Sequence, residues 1–595
     1  MLSFVFYSIF QKAPCADDLQ KILIINKENI MNTQRIRLPY GISNFQRLVR
    51  DGYHFIDKTN YIEQLEENPE PYIFFLRPRR FGKSLFVSQL RYYYGLEYKD
   101  QFDTIFGHYY IGKHPTPGAN KYHVLHFEFS RIDTKTEDST FQGFLENVKD
   151  GIVEFISQYG QITDSEKSNI LSSKAPNTML MKLFRAYRKS NIYVIIDEYD
   201  HFANEILAFN FDHFKSFVSE NGFVRKFYET IKAATGDGIV EYFFGTGVTP
   251  ITLDGMTSGF NIAKNFSTQK LFNNMLGFTE QEVEQLIDLT LPDQSNHLLI
   301  KNIRELYNGY LFNENCRKIY NPDMVLYYLS EYQKNDSPPK ELIDTNIASD
   351  YGKIKKLFAL QKPFRNSQVL DELMVRNQTT ASLTPQFSFE RDFNSDDFVS
   401  LMYYLGLISI QSSRFNMLNF SIPNYVIKEL YRNFFIDFIK VQNNLSVDTV
   451  NVSKAFIEMA ENKNLMPFLN IIENALQTMS NQDFKKFDEK YIKALFVGFA
   501  SLSKLYFIKS EPEIERKYPD VMFLYRPPFY PKYQFLFEIK YLNKAGEKSL
   551  NTKTHKAIAQ VNEYLAFDEI SSLNNLKAYV LIFVGSEIKV VKEIA

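Results

Sequence analysis

Leu76-Arg77-Pro78-Arg79-Arg80-Phe81-Gly82-Lys83-Ser84-Leu85 is the stretch that decides the fold of the N-terminal half of this 595-residue chain. The apolar run from Tyr72 to Leu76 leads into it and is typical of a short buried strand. Apolar residues then recur at helical spacing from Ser84 to Tyr94, so the sequence predicts a helix that begins at Gly-Lys-Ser. Strand, loop and helix in this order are the context of a P-loop.

The chemistry of such a loop comes from its position at a helix N-terminus. Backbone N–H groups there face an anion, Lys83 can reach the terminal phosphates of ATP, and the Ser84 hydroxyl suits Mg²⁺. The pattern departs from G-x-x-x-x-G-K-[ST] at its first position, where Arg77 lacks the freedom of glycine to take a positive φ. The alternative interpretation is a helix start with an unrelated lysine. The predicted ATP-binding residues are Arg79, Arg80, Phe81, Gly82, Lys83, Ser84, Leu85, Asp197 and Thr246.

A second apolar run, from residue 192 to 196, ends in Asp197 and Glu198. It is too short for a helix and is typical of a central parallel strand buried on both faces. At the carboxyl end of such a strand Asp197 can hold Mg²⁺ and Glu198 can polarise the attacking water, whereas the alternative is a solvated acidic turn. A third predicted strand ends in Thr246 and Thr249, either of which would contact the γ-phosphate if the two strands are neighbours; here the alternative is a tight turn.

The C-terminal part carries a separate constellation of charged residues. Two predicted strands, Tyr518 to Tyr525 and Tyr533 to Lys540, are separated by a proline-rich turn and indicate a hairpin. Side chains alternate across a strand, so Glu538 and Lys540 share one face, which Asp520 on the paired strand can join. Two carboxylates and a lysine form a place for Mg²⁺ or Mn²⁺ and a water that attacks a phosphodiester. The alternative is a pair of solvated sheet faces, where such patterns are common.

Composition limits the remaining possibilities. A net charge of −2 gives no overall attraction to nucleic acid, so DNA contacts would come from local patches such as Lys485-Lys486, Lys553 to Lys556, or the tip of a hairpin. Only Cys15 and Cys316 are present, which excludes a disulfide framework and favours a cytoplasmic setting. No stretch approaches the roughly 20 apolar residues of a membrane helix, so we expect no membrane association.

Between these two regions the sequence predicts a smaller unit. A helix is indicated from Asp397 to Leu405, and a hairpin follows from Leu407 to Ile422 with its tip at Ser412-Ser413-Arg414. A helix followed by a hairpin is compatible with a winged helix.

Three further motifs resemble a known family. The opening of the bacterial AAA-ATPase-like proteins that carry a C-terminal PD-(D/E)XK nuclease-like domain is similar to three stretches of this chain: Leu38 to Phe45, Phe55 to Thr59 and Arg77 to Ser84. The resemblance covers nearly the whole chain from about Leu38, and in that family RPRRFGK[ST] replaces the glycine-first loop. It also implies that Tyr307 to Phe312, followed by Tyr320-Asn321-Pro322, lies in a helical lid.

The same resemblance bears on the C-terminal region. Helix, three strands, helix and strand are predicted between residues 484 and 584, which is the α-β-β-β-α-β order of the PD-(D/E)XK fold. Asp520, Glu538 and Lys540 then correspond to the catalytic triad and Gln560 to the glutamine of the second helix. Glu489 or Glu511 would supply an additional acidic residue.

Together these predictions describe an α/β multidomain protein whose AAA-like P-loop ATPase is coupled to a metal-dependent DNA nuclease. The predicted divisions are an N-terminal extension at 1–37, with Met31 as an alternative start, an ATPase core at 38–275, a lid at 276–345, a winged-helix-like segment at 346–449 and a nuclease-like domain at 450–595. We expect ATP to gate DNA cleavage. The alternatives are a nucleotide-switched DNA- or protein-binding protein with an inactive nuclease fold, and an ATPase acting on proteins with Arg225 as an arginine finger; an oligomer is compatible with either.

Overall fold

The computed structural model describes residues 35–203, 222–251, 260–292, 296–351, 363–387, 393–442, 445, 447–479 and 488–594. Cys15, Met31 and the basic pair Lys485-Lys486 lie outside the described residues. Across the described parts of the chain, every helix is too short or too polar to cross a membrane.

The N-terminal half is built on a parallel sheet, as the apolar runs predicted. Within the described residues this sheet has five strands in the order β2-β3-β4-β1-β5. The strands are β1 (Tyr72–Leu76), β2 (His123–Glu128), β3 (Ile192–Asp197), β4 (Val240–Gly247) and β5 (Lys264–Asn265). Every residue of β3 is buried, which confirms a central strand covered on both faces. Because the strands are parallel, the loop after β1 and the carboxylates after β3 lie at the same edge of the sheet.

Helices cover both faces of this sheet. They are α1 (Phe45–Arg50), α2 (Asn60–Glu67), α3 (Lys83–Tyr94), α4 (Phe102–Phe106), α5 (Tyr110–Lys113), α6 (Glu137–Tyr159), α7 (Asp164–Leu171), α8 (Pro176–Ala186) and α9 (Phe223–Gly236). Helix α3 is the one predicted from the P-loop, and Gly82 precedes it at φ 93°. A side chain would be strained at this φ, so glycine lets the helix begin immediately after a sharp reversal of the loop.

A mainly helical region follows the sheet, as expected for a lid. It contains α10 (Glu280–Thr290), α11 (Asn296–Tyr307), the small antiparallel pair β6 (Asn308–Tyr310) and β7 (Ile319–Tyr320), α12 (Pro322–Asn335) and α13 (Thr345–Tyr351). The Tyr307 to Phe312 motif therefore forms the end of α11 and strand β6. Asn321 begins α12 by accepting hydrogen bonds from the backbone N–H groups of Asp323 and Met324.

The middle segment has the helix and hairpin that the sequence predicted. Its elements are α14 (Pro363–Arg376), β8 (Thr379–Ala381), α15 (Ser395–Tyr404), β9 (Ser409–Arg414), β10 (Met417–Ser421) and α16 (Tyr425–Gln442), with strand order β8-β10-β9. The predicted tip at Ser412 to Arg414 was wrong, because these residues pair with β10 and the turn lies at Phe415 and Asn416. Phe415 takes φ 57°, which allows this two-residue turn.

The C-terminal region confirms the α-β-β-β-α-β order. It contains α17 (Thr449–Asn462), α18 (Met466–Thr478), α19 (Glu489–Ser501), β11 (Tyr506–Ser510), β12 (Val521–Tyr525), β13 (Gln534–Leu542), α20 (Leu550–Leu565), α21 (Asp568–Ser571), β14 (Leu576–Val584) and β15 (Glu587–Ile594). The sheet order is β11-β12-β13-β14-β15, and within it β13 and β14 are parallel. Strand β15 extends the sheet beyond the predicted core.

Buried apolar side chains connect these regions. One cluster runs from Leu38 to Phe583 and includes residues of the parallel sheet, the lid, the middle segment and one face of the C-terminal sheet. A second cluster, between Ile514 and Ile582, lies on the other face of that sheet under α20. The described regions are therefore packed against one another through apolar contacts.

Candidate nucleotide and nuclease sites

The loop between β1 and α3 reverses without a glycine at its first position. Its positive φ angles occur at Arg80, with 69°, and Gly82, with 93°, and not at Arg77. The departure from the glycine-first pattern is therefore compatible with the loop, because the left-handed conformation is taken three residues later. Arg80 also lies 3.6 Å from Asp323 of α12, which ties the loop to the lid.

Arg77 is a buried cation that holds backbone carbonyls together. Its Nη1 donates to the carbonyls of Leu76 at 2.9 Å and Ser267 at 2.6 Å, and its Nη2 donates to Phe272 at 2.8 Å. The guanidinium also lies 3.8 Å from the centre of the Phe312 ring. Its Nε has no hydrogen-bond partner among the described residues, but the acceptors at both Nη atoms and the ring contact hold the guanidinium in place, so this side chain fastens the loop to the lid motif.

Four polar residues meet at the edge of the sheet. Lys83 Nζ donates to two loop carbonyls, at 3.2 and 3.3 Å, and lies 3.7 Å from Glu198 Oε1. The Ser84 side chain hydrogen-bonds Asp197. Burial, and next the charge of Glu198, raise the pKa of Asp197 to about 7. The structure therefore brings together the lysine, the hydroxyl and both carboxylates that the sequence singled out.

These residues line a cavity of about 700 Å³. The predicted residues Arg79 through Leu85, together with Asp197 and Glu198, form its polar side. Apolar lining residues come from the 39–56 segment and from the lid: Ile42, Phe55, Ile56, Met275, Leu276, Phe278, Leu286 and Leu326. The same two regions also contribute the polar lining residues Ser43, Asn44, His54 and Asp323. A cavity of this size with apolar lining residues and a phosphate-type loop can hold a heteroaromatic base and a polyphosphate chain. These apolar lining residues could not be predicted from the sequence, because they look like ordinary core positions.

Three predicted residues lie away from the cavity. The Thr246 hydroxyl donates to the Phe75 carbonyl at 2.7 Å inside the sheet, because β4 continues as far as Gly247 opposite Leu76. The Thr249 hydroxyl donates to Asp200 at 2.8 Å. Arg225 pairs with Glu229 of its own helix at 3.0 Å. None of the three is among the described residues that line the cavity.

The C-terminal sheet brings Asp520, Glu538 and Lys540 together. Val521 pairs with Phe537, so the antiparallel register sets Asp520 beside Glu538. Lys540 Nζ lies 2.6 Å from Glu538 Oε1 and 3.5 Å from Asp520 Oδ2. Asp520 Oδ2 also accepts from the backbone N–H of Ile539 at 2.7 Å. Glu538 is 1% exposed, so this group of charges is almost completely removed from water.

Sequence reasoning missed a second lysine in this group. Lys493 of α19 donates from Nζ to Asp520 Oδ1 at 2.8 Å and to Glu511 Oε1 at 2.9 Å. Both acidic candidates are near the group: Glu511 through Lys493, and Glu489 through Lys540 at 3.3 Å. Gln560 is half-buried on α20, on the stripe that carries the buried Ala557 and Tyr564.

Glu538 has an unusual electrostatic position. Burial, and next the charge of Asp520, raise its pKa to about 7, while Lys540 opposes this shift. Its second carboxylate oxygen is buried without a hydrogen-bond partner among the described residues. An unpartnered buried acceptor beside a second carboxylate fits a hard divalent cation. Over the described residues, no group of three or more His, Cys, Asp or Glu side chains is placed to hold a metal, so protein carboxylates would supply only part of a shell.

The two regions define a class of protein: a P-loop ATPase fold joined in one chain to a sheet that carries a nuclease-type arrangement of carboxylates and lysine. Comparisons with known proteins give the families. Residues 39–257 match the family model described as "Predicted AAA-ATPase", and residues 487–593 match that of the PD-(D/E)XK nuclease superfamily. The chain thus contains an AAA-ATPase-like domain followed by a PD-(D/E)XK nuclease superfamily domain, which confirms the resemblance seen in its motifs.

A curated relative and a solved structure also show similarity. The chain is 27% identical over 305 residues to "Uncharacterized protein in vnfD 5'region" of Azotobacter chroococcum mcd 1, an alignment that covers 49% of this chain and 52% of that protein. The chain thus spans about half the length of this relative. The Aeropyrum pernix ORC1 protein in complex with DNA covers 65% of this chain and 95% of its own, with 8% identity and a TM-score of 0.26. That score is too low to support an argument.

Proposed function

We propose that the N-terminal domain binds and hydrolyses ATP in the 700 Å³ cavity. Lys83 would contact the terminal phosphates, and Ser84 and Asp197 would hold Mg²⁺, which supplies charge neutralisation of the phosphates. Glu198 would polarise the attacking water. The apolar lining residues from the 39–56 segment and the lid would hold the adenine base.

We propose further that the C-terminal domain cleaves DNA. Asp520 and Glu538 would hold Mg²⁺ or Mn²⁺, which as a Lewis acid supplies an activated hydroxide and stabilises charge on the phosphoryl oxygens. Lys540 forms ion pairs with both carboxylates and would stabilise negative charge on the reacting phosphate. Gln560 is proposed to help orient the substrate from α20. The observation that supports this activity most directly is the buried, unpartnered oxygen of Glu538 beside Asp520.

The packing between the two domains supports a gating role for ATP. The P-loop contacts the middle segment directly, since a Cβ on Gly406 would lie 2.7 Å from Pro78 Cβ. The middle segment contacts the nuclease sheet through Tyr425, whose ring stacks on Phe507 at 4.1 Å and whose hydroxyl accepts from Ile508 N–H at 3.1 Å. Strand β11 then leads to Asp520, whose carbonyl accepts from Glu511 N–H at 3.0 Å. We propose that ATP bound at the P-loop changes the positions of these contacting residues, and through them the position of Asp520.

The first experiment is cleavage of linear and supercoiled DNA with Mg²⁺ or Mn²⁺, with and without ATP. Wild type is compared with Asp520→Asn and Lys83→Ala, and Asp568→Asn is the matched control because it makes the same change at an exposed site in the same domain. An ATP-gated nuclease predicts that Asp520→Asn abolishes cutting while Asp568→Asn does not. It also predicts that Lys83→Ala abolishes the dependence of cutting on ATP. Cutting that is indifferent to both ATP and Lys83→Ala contradicts the gating.

A second candidate function is a nucleotide-switched DNA- or protein-binding protein whose nuclease fold is inactive. The observation that favours it is the saturation of Asp520, which already has Lys493, Lys540 and the Ile539 N–H as partners. A carboxylate so engaged binds a metal only if a lysine withdraws. Measurable ATP hydrolysis without cutting under any condition would identify this function.

A further inference from the structure

A small cationic cavity lies between the middle segment and the nuclease domain. Its volume is about 30 Å³. Its apolar lining comes mainly from the end of α14, and the other lining residues come from α16, from α19 and from the end of β11. The charged lining residues are Lys428, Arg432, Lys490, Lys493 and Glu511, which are four cations and one carboxylate among the described residues.

Arg432 is the most deeply buried of these cations. It is 2% exposed, and its Nη2 donates to the Ile508 carbonyl at 3.3 Å. Its Nη1 is buried with no hydrogen-bond partner among the described residues. A charged donor left unpaired in the interior keeps an uncompensated desolvation cost, so the position calls for an acceptor.

The charges around the cavity are not balanced by the protein. Lys493 is paired with Asp520 and Glu511, and so it is already neutralised. Lys428 and Lys490, in contrast, have no ion pair within the described ranges. Burial lowers the pKa of Lys428 to about 8, and the charge of Arg432 adds to this, while Glu511 and Glu305 oppose it. Lys428, Arg432 and Lys490 therefore face the cavity without a direct ion pair among the described residues, although Glu511 and Glu305 act on Lys428, and Glu429 acts on Arg432, from farther away.

We infer that this cavity binds a phosphate group of a nucleic-acid strand held at the nuclease centre. The identity of the strand rests on the proposed nuclease function, whereas the anion site rests on Lys428, Arg432 and Lys490. A phosphate is a compact anion whose several oxygens can accept from Arg432 Nη1 and both lysines together. Its position suits a neighbour of the phosphate that would be cut, because Lys493 both lines the cavity and contacts Asp520 at 2.8 Å.

The size of the cavity limits which ligands can bind in it. A volume of about 30 Å³ corresponds to roughly two water-sized spheres. This admits phosphate oxygens but excludes a base or a sugar. The cavity therefore suits a backbone phosphate whose nucleoside remains outside, and it does not suit a mononucleotide bound by its base.

The test measures binding without cleavage. A fluorescent single-stranded DNA of about 16 nucleotides is titrated with the full-length protein in EDTA over a series of salt concentrations, and binding is followed by anisotropy. Lys428→Gln and Lys490→Gln each remove one proposed phosphate contact. Lys440→Gln is the matched control, because it makes the same change on α16 outside the cavity. Inorganic phosphate is added to each protein in a parallel thermal unfolding series.

We expect each cavity variant to reduce the magnitude of the slope d log K/d log[salt] by about 0.7. This corresponds to about a fivefold loss of affinity for DNA at 0.1 M salt. Lys440→Gln should change neither the slope nor the affinity. Equal binding by all four proteins overturns the inference. Stabilisation by inorganic phosphate that Lys428→Gln abolishes, with unchanged DNA binding, also overturns it by assigning the site to free phosphate. Because no divalent ion is present, a protein that fails to cut DNA can still pass this test, and one that cuts can fail it.

Discussion

Replacing Arg77 by methionine should destabilise the N-terminal domain substantially. The variant keeps much of the side-chain volume but removes the donors to Leu76, Ser267 and Phe272, at 2.9, 2.6 and 2.8 Å. Hydrogen bonds to a charged group contribute about 1.5–3 kcal/mol each, so three give a gross loss of roughly 4.5–9 kcal/mol. Removing a buried charge that has no carboxylate partner returns several kcal/mol. The net loss is therefore about 2–4 kcal/mol.

Thermal unfolding of the full-length protein, with and without ATP, measures this effect. A loss of about 2–4 kcal/mol should lower the Tm of the transition that ATP shifts by roughly 5–15 °C. Arg77→Lys is the informative control, because lysine keeps the charge but lacks the planar fork that reaches Ser267 and Phe272 together. We expect the Tm of Arg77→Lys to lie between the Tm values of wild type and Arg77→Met. A Tm of Arg77→Met within about 2 °C of wild type would refute the reasoning, and a wild-type Tm for Arg77→Lys would refute the role of the fork.

Lys83→Ala should weaken ATP binding about 10- to 100-fold in calorimetry, because it removes the buried cation of the loop, while Lys99→Ala at an exposed site should bind normally. Lys428→Met should stabilise the protein to urea at pH 7 by at most about 3 kcal/mol, because the native pKa of about 8 lies below the ordinary 10.5 and the protonated native lysine is penalised. The gain in the free energy of unfolding should shrink as pH rises from 8 towards 10.5, because the native wild-type lysine is then deprotonated and no longer destabilises the fold. A gain that stays constant over this pH range would contradict the lowered pKa of Lys428. Gly406→Ala should lower both the Tm and ATP affinity through its clash with Pro78, whereas Gly52→Ala, with a similar positive φ and open space around it, should show only the smaller loss of Tm.

Much of the nucleotide site could be predicted because its signals are local. The apolar run that forms β3 ends in Asp197 and Glu198, and the fold then places that end beside the loop. The Thr246 prediction depended on where β4 stops. The predicted strand ran as far as Thr249, whereas β4 ends at Gly247, and Thr246 pairs with Phe75 inside the sheet, where its hydroxyl donates to the Phe75 carbonyl. A strand end cannot be located to one residue from its pattern, since the pairing that extends it comes from a distant part of the chain.

The nuclease site shows a similar limit. Asp520, Glu538 and Lys540 could be predicted because strand alternation and a hairpin bring them to one face. Lys493 could not, because a lysine near the start of an amphipathic helix is normally a solvated residue. Its partner Asp520 is 27 residues away, and their ion pair exists only once α19 packs beside the sheet. The apolar lining of the large cavity was missed for the same reason, since it is assembled from segments far apart in sequence.

Lys493 also links the two proposals for the C-terminal domain. Its Nζ lies between Asp520 on one side and Glu511 at the cationic cavity on the other. A cation bound by Asp520 and Glu538 would repel Lys493 away from Asp520. A phosphate in the cavity would attract Lys493 in that same direction, toward the cavity and away from Asp520. The two ligands carry opposite charges on either side of the Lys493 ammonium group, so each should favour binding of the other, and by thermodynamic linkage the two effects must be equal. Single-stranded DNA should therefore raise the affinity of the wild-type protein for Mn²⁺, and this increase should be smaller in Lys428→Gln.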